Sequence, residues 1–106
     1  MKTFVYNNII FHVGTNDKEN WSIISSSQKD HCWVHLSSIP SSHVIICIDK
    51  PLHDELVYAG ELCKEQTKCN KNNVTCIATR VNNLKLGSKP GEVYFKNEKE
   101  IQTFTV

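Results

Sequence analysis

No apolar run in this chain approaches the roughly 20 residues needed to cross a bilayer, and its most hydrophobic stretch, "VIICI" at 44–48, ends within one strand length. That excludes a membrane-spanning helix. The opening "MKTFVYNNIIFHVG" carries a single Lys, and Asn7 and Asn8 interrupt its apolar residues, so it fails as a secretory leader. Charge of one sign is also missing: 12 Lys and Arg against 11 Asp and Glu leave a net +1, so any polyanion partner must be met by a local surface. With only 4 Gly and 3 Pro there is no collagenous, low-complexity or linker segment, and nothing repeats. The 5 cysteines are odd in number and lack the dense spacing of a disulfide framework, which places the chain in a reducing compartment with its thiols as small core residues. The expectation is one soluble, cytoplasmic domain over residues 1–106, long enough to bury about 60–70% of the surface its unfolded chain exposes.

Within that domain, period-2 runs and turn residues predict two strands in "KTFVYNNIIFHVG" and an antiparallel pair in "HCWVHL" and "SHVIICI". The pair is joined by "SSIPSS". Further strands are expected at "VTCIATRV", which is apolar on both faces and hence interior, at "EVYF" after a Pro90-Gly91 type II turn, and at "IQTFTV". A short helix is expected over about 17–26, with Asn16 as N-cap and Glu19 three residues on. A longer one over about 51–69 starts with Pro51 in its first position and repeats Leu52, Leu56, Ala59 and Cys63 on one face. The resulting order, ββαββαβββ, is an α+β fold with a mixed, largely antiparallel sheet and two helices packed on it. Helices on one face would leave the other free for a ligand.

Cys32, His35, His43 and Cys47 offer zinc-ligand types in a superficially suitable order. Strand alternation argues against it, because residues three apart point to opposite faces of a strand. The expectation is therefore no metal and no cofactor. The same alternation, with the turn centred on Ile39, sets His35 opposite His43 and Trp33 opposite Ile45, all on one face. Two imidazoles would then flank a turn bearing Ser37, Ser38, Ser41 and Ser42, a donor-rich place that suits a phosphate. The plainer alternative is that these groups hydrogen-bond one another and hold the turn. A histidine pair could also serve as acid and base on an RNA phosphodiester, but no nucleophile–base–orienter set is present, and the chain is read as a non-enzyme with no catalytic residue.

The remaining asymmetry is the lack of any acid between Glu65 and Glu92, a window holding Lys68, Lys71, Arg80, Lys85 and Lys89 beside several asparagines. Basic segments with amide side chains make phosphate and single-strand contacts. A solvated edge is the alternative.

Four pieces, in this order and at this spacing, resemble the NFACT-R domain, the small RNA-binding module that ends the NFACT proteins of ribosome-associated quality control and forms the body of the coiled-coil-domain-containing protein 25 family. "HVGTNDKEN" resembles its glycine-led turn with a closing Asn; "WVHLSSIPSSHV" its Trp-aromatic-His and Ser-His-Val signature; "NNLKL" its Asn-Leu-Lys-Lys; and "GSKPGEVYF" its Lys-Pro-Gly-x-Val. The resemblance runs from about Ile9 to Val106. It implies binding of RNA, of tRNA or ribosomal kind, in translation, with DNA as the alternative nucleic acid and no catalysis. Carried over by position, it falls on Trp33, His35, Ser42 and His43, on Gly14 and Asn20 as the structural turn, and on Lys85, Lys89, Pro90 and Gly91; Ser41, Lys68, Lys71 and Arg80 join the binding set from the loop and the acid-free window. His31, Cys47 and Leu86 stand where the family carries charge. A protein-interaction module, its partner unidentified, is the reading from a different class.

Overall fold

Asn7 and Asn8 both take left-handed backbone angles, φ 53° and 61°, and so close a two-residue hairpin of the primed type that matches strand twist. The hairpin joins β1 (Lys2–Tyr6) to β2 (Ile9–Val13) in the computed structural model, which describes residues 1–106. The chain continues through α1 (Asp17–Ser25), β3 (Cys32–Leu36), β4 (Val44–Ile46), α2 (His53–Thr67) and β5 (Thr75–Arg80). A 3-10 turn at Val81–Asn83 leads to the small hairpin of β6 (Leu84–Leu86) and β7 (Val93–Phe95), and a second at Glu98–Glu100 precedes β8 (Gln102–Thr105). Six strands form one antiparallel sheet in the order β1-β2-β4-β3-β5-β8, and β6-β7 stands apart as its own ribbon.

The α+β architecture holds, with one strand more than expected because the three residues of β6 are too few to show a period. β5 is interior, as its two apolar faces require. Asn16 caps α1 by accepting the Glu19 N–H at 2.9 Å. Pro51 lies just before the cap of α2 rather than in its first turn: Leu52 is the cap residue, and the Glu55 carboxylate accepts the Leu52 N–H at 2.7 Å.

The helices lie on opposite faces, contrary to a one-sided arrangement. Leu56, Ala59, Leu62 and Cys63 of α2 pack on Phe11, Val13, Cys32, Val34, Val44, Ile46, Cys76 and Ala78. The alternate residues Trp33 and Ile45 face the other way, under Ile23 and Ile24 of α1, Val81 of the 3-10 turn, and Leu84, Val93 and Phe95 of the β6-β7 ribbon. Strand residues buried on both faces explain why β3, β4 and β5 read as continuous apolar runs. At the centre of the sheet, where β3 and β4 lie, neither face is free, while Val5 and Ile10 stay exposed at the β1 end. What remains open is the ribbon's outer face, the loops and the two sheet edges.

Candidate nucleic-acid interface

The β3-β4 register is the one centred on Ile39: Cys32 pairs with Ile46, Trp33 with Ile45 and Val34 with Val44. The next step of that register brings His35 to His43, and their rings meet edge to face at 4.7 Å. Trp33 Nε1 donates to His43 Nδ1 at 3.1 Å, which fixes the His43 proton on Nε2. His35 stacks on the indole at 5.5 Å, and Phe95 packs edge-on against it at 5.7 Å. Burial drives the His35 pKa down to about 4 and that of His43 to about 3, the neighbouring imidazole adding to the second. Both rings are neutral at pH 7 and bring no charge to a phosphate.

This corrects the place of two residues. Trp33 is 1% exposed and His43 3%, so no nucleotide base reaches the indole and no ligand reaches His43 directly. They belong to the core beneath α1 and the ribbon, and His35, half-buried, alone comes near the surface. Cys32 meanwhile points into the α2 side, so the face that holds His35 lacks it. No group of three or more His, Cys, Asp or Glu side chains is placed to hold a metal ion.

The serine turn is similarly occupied with itself. Ser41 Oγ accepts the Leu36 N–H and donates to the Ser42 carbonyl, both at 3.1 Å. Ser42 lines an open cleft of about 260 Å³ with Asn16, Asp17, Asn20, Pro40 and Thr67, where the single ionised side chain is an acid. The "HVG…N" pattern also has a structural cause. Asn20 Oδ1 accepts the His43 N–H at 3.1 Å while Gly14 N–H donates to the His43 carbonyl at 3.0 Å. A Cβ on Gly14 would sit 2.1 Å from that same Oδ1. The glycine thus lets α1 staple β2 to β4.

The acid-free window does not gather into one patch. Lys68 occupies the left-handed C-cap of α2, φ 58°, and Lys71 follows in the next loop, both before β5 begins. Arg80 ends β5 and is paired with Asp49 at 2.7 Å. It borders a separate cavity of about 350 Å³ with Lys50, Asn82, Asn83, Glu100 and Gln102. Lys85 and Lys89 lie on the ribbon, on the opposite side of the sheet from α2.

On that ribbon the lysines do meet an aromatic ring. Leu84 and Leu86 pair with Phe95 and Val93, whereas Lys85 pairs with Tyr94 on the outward face, where Tyr94 is 55% exposed. Pro90 and Gly91 form the expected type II turn: Gly91 has φ 88°, and Glu92 N–H returns to the Lys89 carbonyl at 3.0 Å. Glu92 is held by the Ser88 N–H and the Tyr94 hydroxyl, both at 3.1 Å, which lowers its pKa and fixes the tyrosine. Trp21 Nε1 donates to the Glu92 carbonyl at 2.9 Å, and Asn83, 2% exposed, bonds Thr79 and both backbone groups of Asn97. The ribbon is anchored at both ends. Tyr94 and the exposed Lys96, which follows β7, escaped the sequence reading. Their signal was the alternation of "VYFK" once β7 is known to cover the core with Val93 and Phe95.

The whole chain superposes on the C-terminal part of the fibronectin/fibrinogen-binding protein from Streptococcus suis, with a TM-score of 0.87 at 25% sequence identity. The match covers 99% of this chain and 44% of that one, so this chain spans less than half of that structure's length. No family model and no curated protein matches the sequence.

Proposed function

We propose that this chain is an NFACT-R-like nucleic-acid-binding domain of the cytoplasm that takes RNA, of tRNA or ribosomal kind, on the outward face of the β6-β7 ribbon, without catalysis. One observation carries the reading: the exposed Tyr94, its hydroxyl tied to Glu92, pairs across the ribbon with Lys85, while Lys89 in the turn and the exposed Lys96 after the strand add further ammonium groups to the same hairpin. An aromatic ring with flanking ammonium groups is the apparatus of single-strand binding. A base stacked on the ring contributes about 1–3 kcal/mol, and lysines hold the phosphates on either side. The same ribbon carries two of the four pieces of the family resemblance, "NNLKL" and "GSKPGEVYF". The sheet below supplies rigidity, and the Trp33-His43 pair acts in this reading as a brace rather than a contact.

Titration with tRNA and with a single-stranded RNA at low salt tests the proposal. The expected result is saturable binding that weakens about tenfold or more in Lys85→Ala with Lys89→Ala, since each ammonium group removed from a phosphate takes away part of a salt-sensitive affinity. Absence of binding to either RNA at low salt would sink it. DNA of the same length, run in parallel, decides between the nucleic acids.

The name of the similar protein favours a second reading, a protein-docking module. Its discriminating experiment is capture of fibronectin or fibrinogen by the immobilised chain, insensitive to nuclease and unchanged by the same double substitution.

A further inference from the structure

The edge of the sheet at β1 is built as an open, self-complementary strand, and we infer that it pairs two copies of this chain into a dimer with one continuous sheet. Which backbone groups of β1 are free follows from β2. Ile10 carbonyl accepts the Cys47 N–H at 2.9 Å and Gly14 N–H donates to the His43 carbonyl, so the even residues of β2 bond toward β4 and the odd ones toward β1. Lys2, Phe4 and Tyr6, paired with Val13, Phe11 and Ile9, therefore spend their amides inward. Thr3 and Val5 direct their N–H and C=O groups outward with nothing to meet them.

None of the usual devices that blunt an edge interrupts this strand. β1 contains no Pro, its ladder with β2 runs unbroken from Lys2 to Tyr6 without a bulge, and its one charge stands at the end. Its exposed face carries Thr3, bonded to His12, and beside it an apolar pair. Val5 is 66% exposed and sits opposite Ile10, itself 44% exposed. The other edge, β8, presents Gln102, Thr103 and Thr105 outward and has no exposed large apolar residue.

The occupant is a second copy because the strand complements itself. In an antiparallel two-fold pairing, residues with outward amides must face each other, and aligning Thr3 with Val5 of the second copy engages every free group, each pair exchanging two hydrogen bonds. Phe4 then faces Phe4, and Lys2 faces Tyr6. Tyr6 hydroxyl donates to Asp54 Oδ2 at 3.1 Å, and Asn7 donates to the same oxygen at 3.2 Å. Lys2, on the α2 side of the strand with Phe4 and Tyr6 by alternation, is thereby brought to Asp54 of the second copy, and the reciprocal pair forms at the other end. On the opposite face each Val5, with Ile10 behind it, stands across from Thr3 of the second copy and diagonal to its Val5. Charge and hydrogen bonding select the same register.

An interface of one short strand per copy lies at the small end of specific interfaces, so sedimentation velocity over about 10 μM to 1 mM is the appropriate measurement. The expected result is a reversible transition from the 12.1 kDa monomer to a species of twice that mass. Val5→Lys changes an exposed side chain, and Thr3→Pro removes an outward N–H together with one exposed side-chain contact to His12, so the fold survives them, as circular dichroism will verify, and the dimer is lost. Lys2→Glu weakens association about tenfold, from two broken ion pairs, and Lys2→Glu with Asp54→Lys restores it. A monomer throughout the range, or a dimer indifferent to both Val5→Lys and Thr3→Pro, overturns the inference; the first result would leave the edge to a different protein strand.

Discussion

His43 shows how one side chain can carry the appearance of a ligand site and the function of a strut. Its backbone N–H is taken by Asn20, its carbonyl by Gly14 and its Nδ1 by the Trp33 indole, so three elements converge on it. The sequence places His35 and His43 across from each other correctly, because register follows from alternation about a turn. It does not tell that the face they share is roofed by α1 and the ribbon, since those contacts come from residues far along the chain. The cost of this design is a pH dependence. Unfolded, both histidines titrate near 6.5; folded, they resist protonation until about 4 and 3. Between those values the unfolded state binds more protons, so stability is fully present above about pH 6.5 and falls as pH drops toward the folded values. For two such groups the loss between pH 7 and pH 5 is about 4 kcal/mol at most, at about 1.4 kcal/mol per group and pH unit. Urea unfolding at the two pH values measures it, and in His35→Gln the difference shrinks by about half; a flat profile in the parent protein contradicts a neutral buried pair.

At the scale of elements, local chemistry was legible wherever the determinant was local. Asn16 as a cap, Asn7-Asn8 as a primed turn and Pro90-Gly91 as a type II turn each need only neighbouring residues to be understood. The end of α2 is different, because it closes on Lys68 in the left-handed region that favours glycine. Lys68 N–H bonds the Glu65 carbonyl at 3.1 Å and Cys69 N–H that of Lys64 at 2.8 Å, the backbone pattern of a helix stop that carries a side-chain penalty. Lys68→Gly removes that penalty and is expected to raise stability by about 1 kcal/mol, read as a higher urea midpoint at unchanged slope. Since Lys68 lies away from the ribbon, the same variant keeps its RNA affinity within a factor of about two. A large loss would move the binding surface to the end of α2.

For the molecule as a whole, the question is which surfaces stay open once every element has found its partner. Periodicity reports that a helix has an apolar face; it is silent on which side of a sheet that face will land. α1 and α2 each carry enough apolar residues to cover the middle of one side, and with the ribbon they leave β3 and β4 no bare face. The surfaces proposed for binding are therefore outer ones, the ribbon and the β1 edge. On the ribbon, the two kinds of contact make different demands on salt. Lysine binding releases counterions, so log K falls with log salt by about 0.7 for each phosphate neutralised on a single strand. Stacking on Tyr94 releases none. Lys85→Ala and Lys89→Ala should therefore each flatten the salt slope by about 0.7, while Tyr94→Ala lowers affinity by about 1–3 kcal/mol at every salt concentration and leaves the slope unchanged. Fluorescence titrations of single-stranded RNA at four or more salt concentrations separate the two. A Tyr94→Ala line parallel to the parent and displaced below it marks the ring as a stacking platform; a superimposed line would leave the lysines as a diffuse electrostatic surface and take the aromatic contact out of the proposed function.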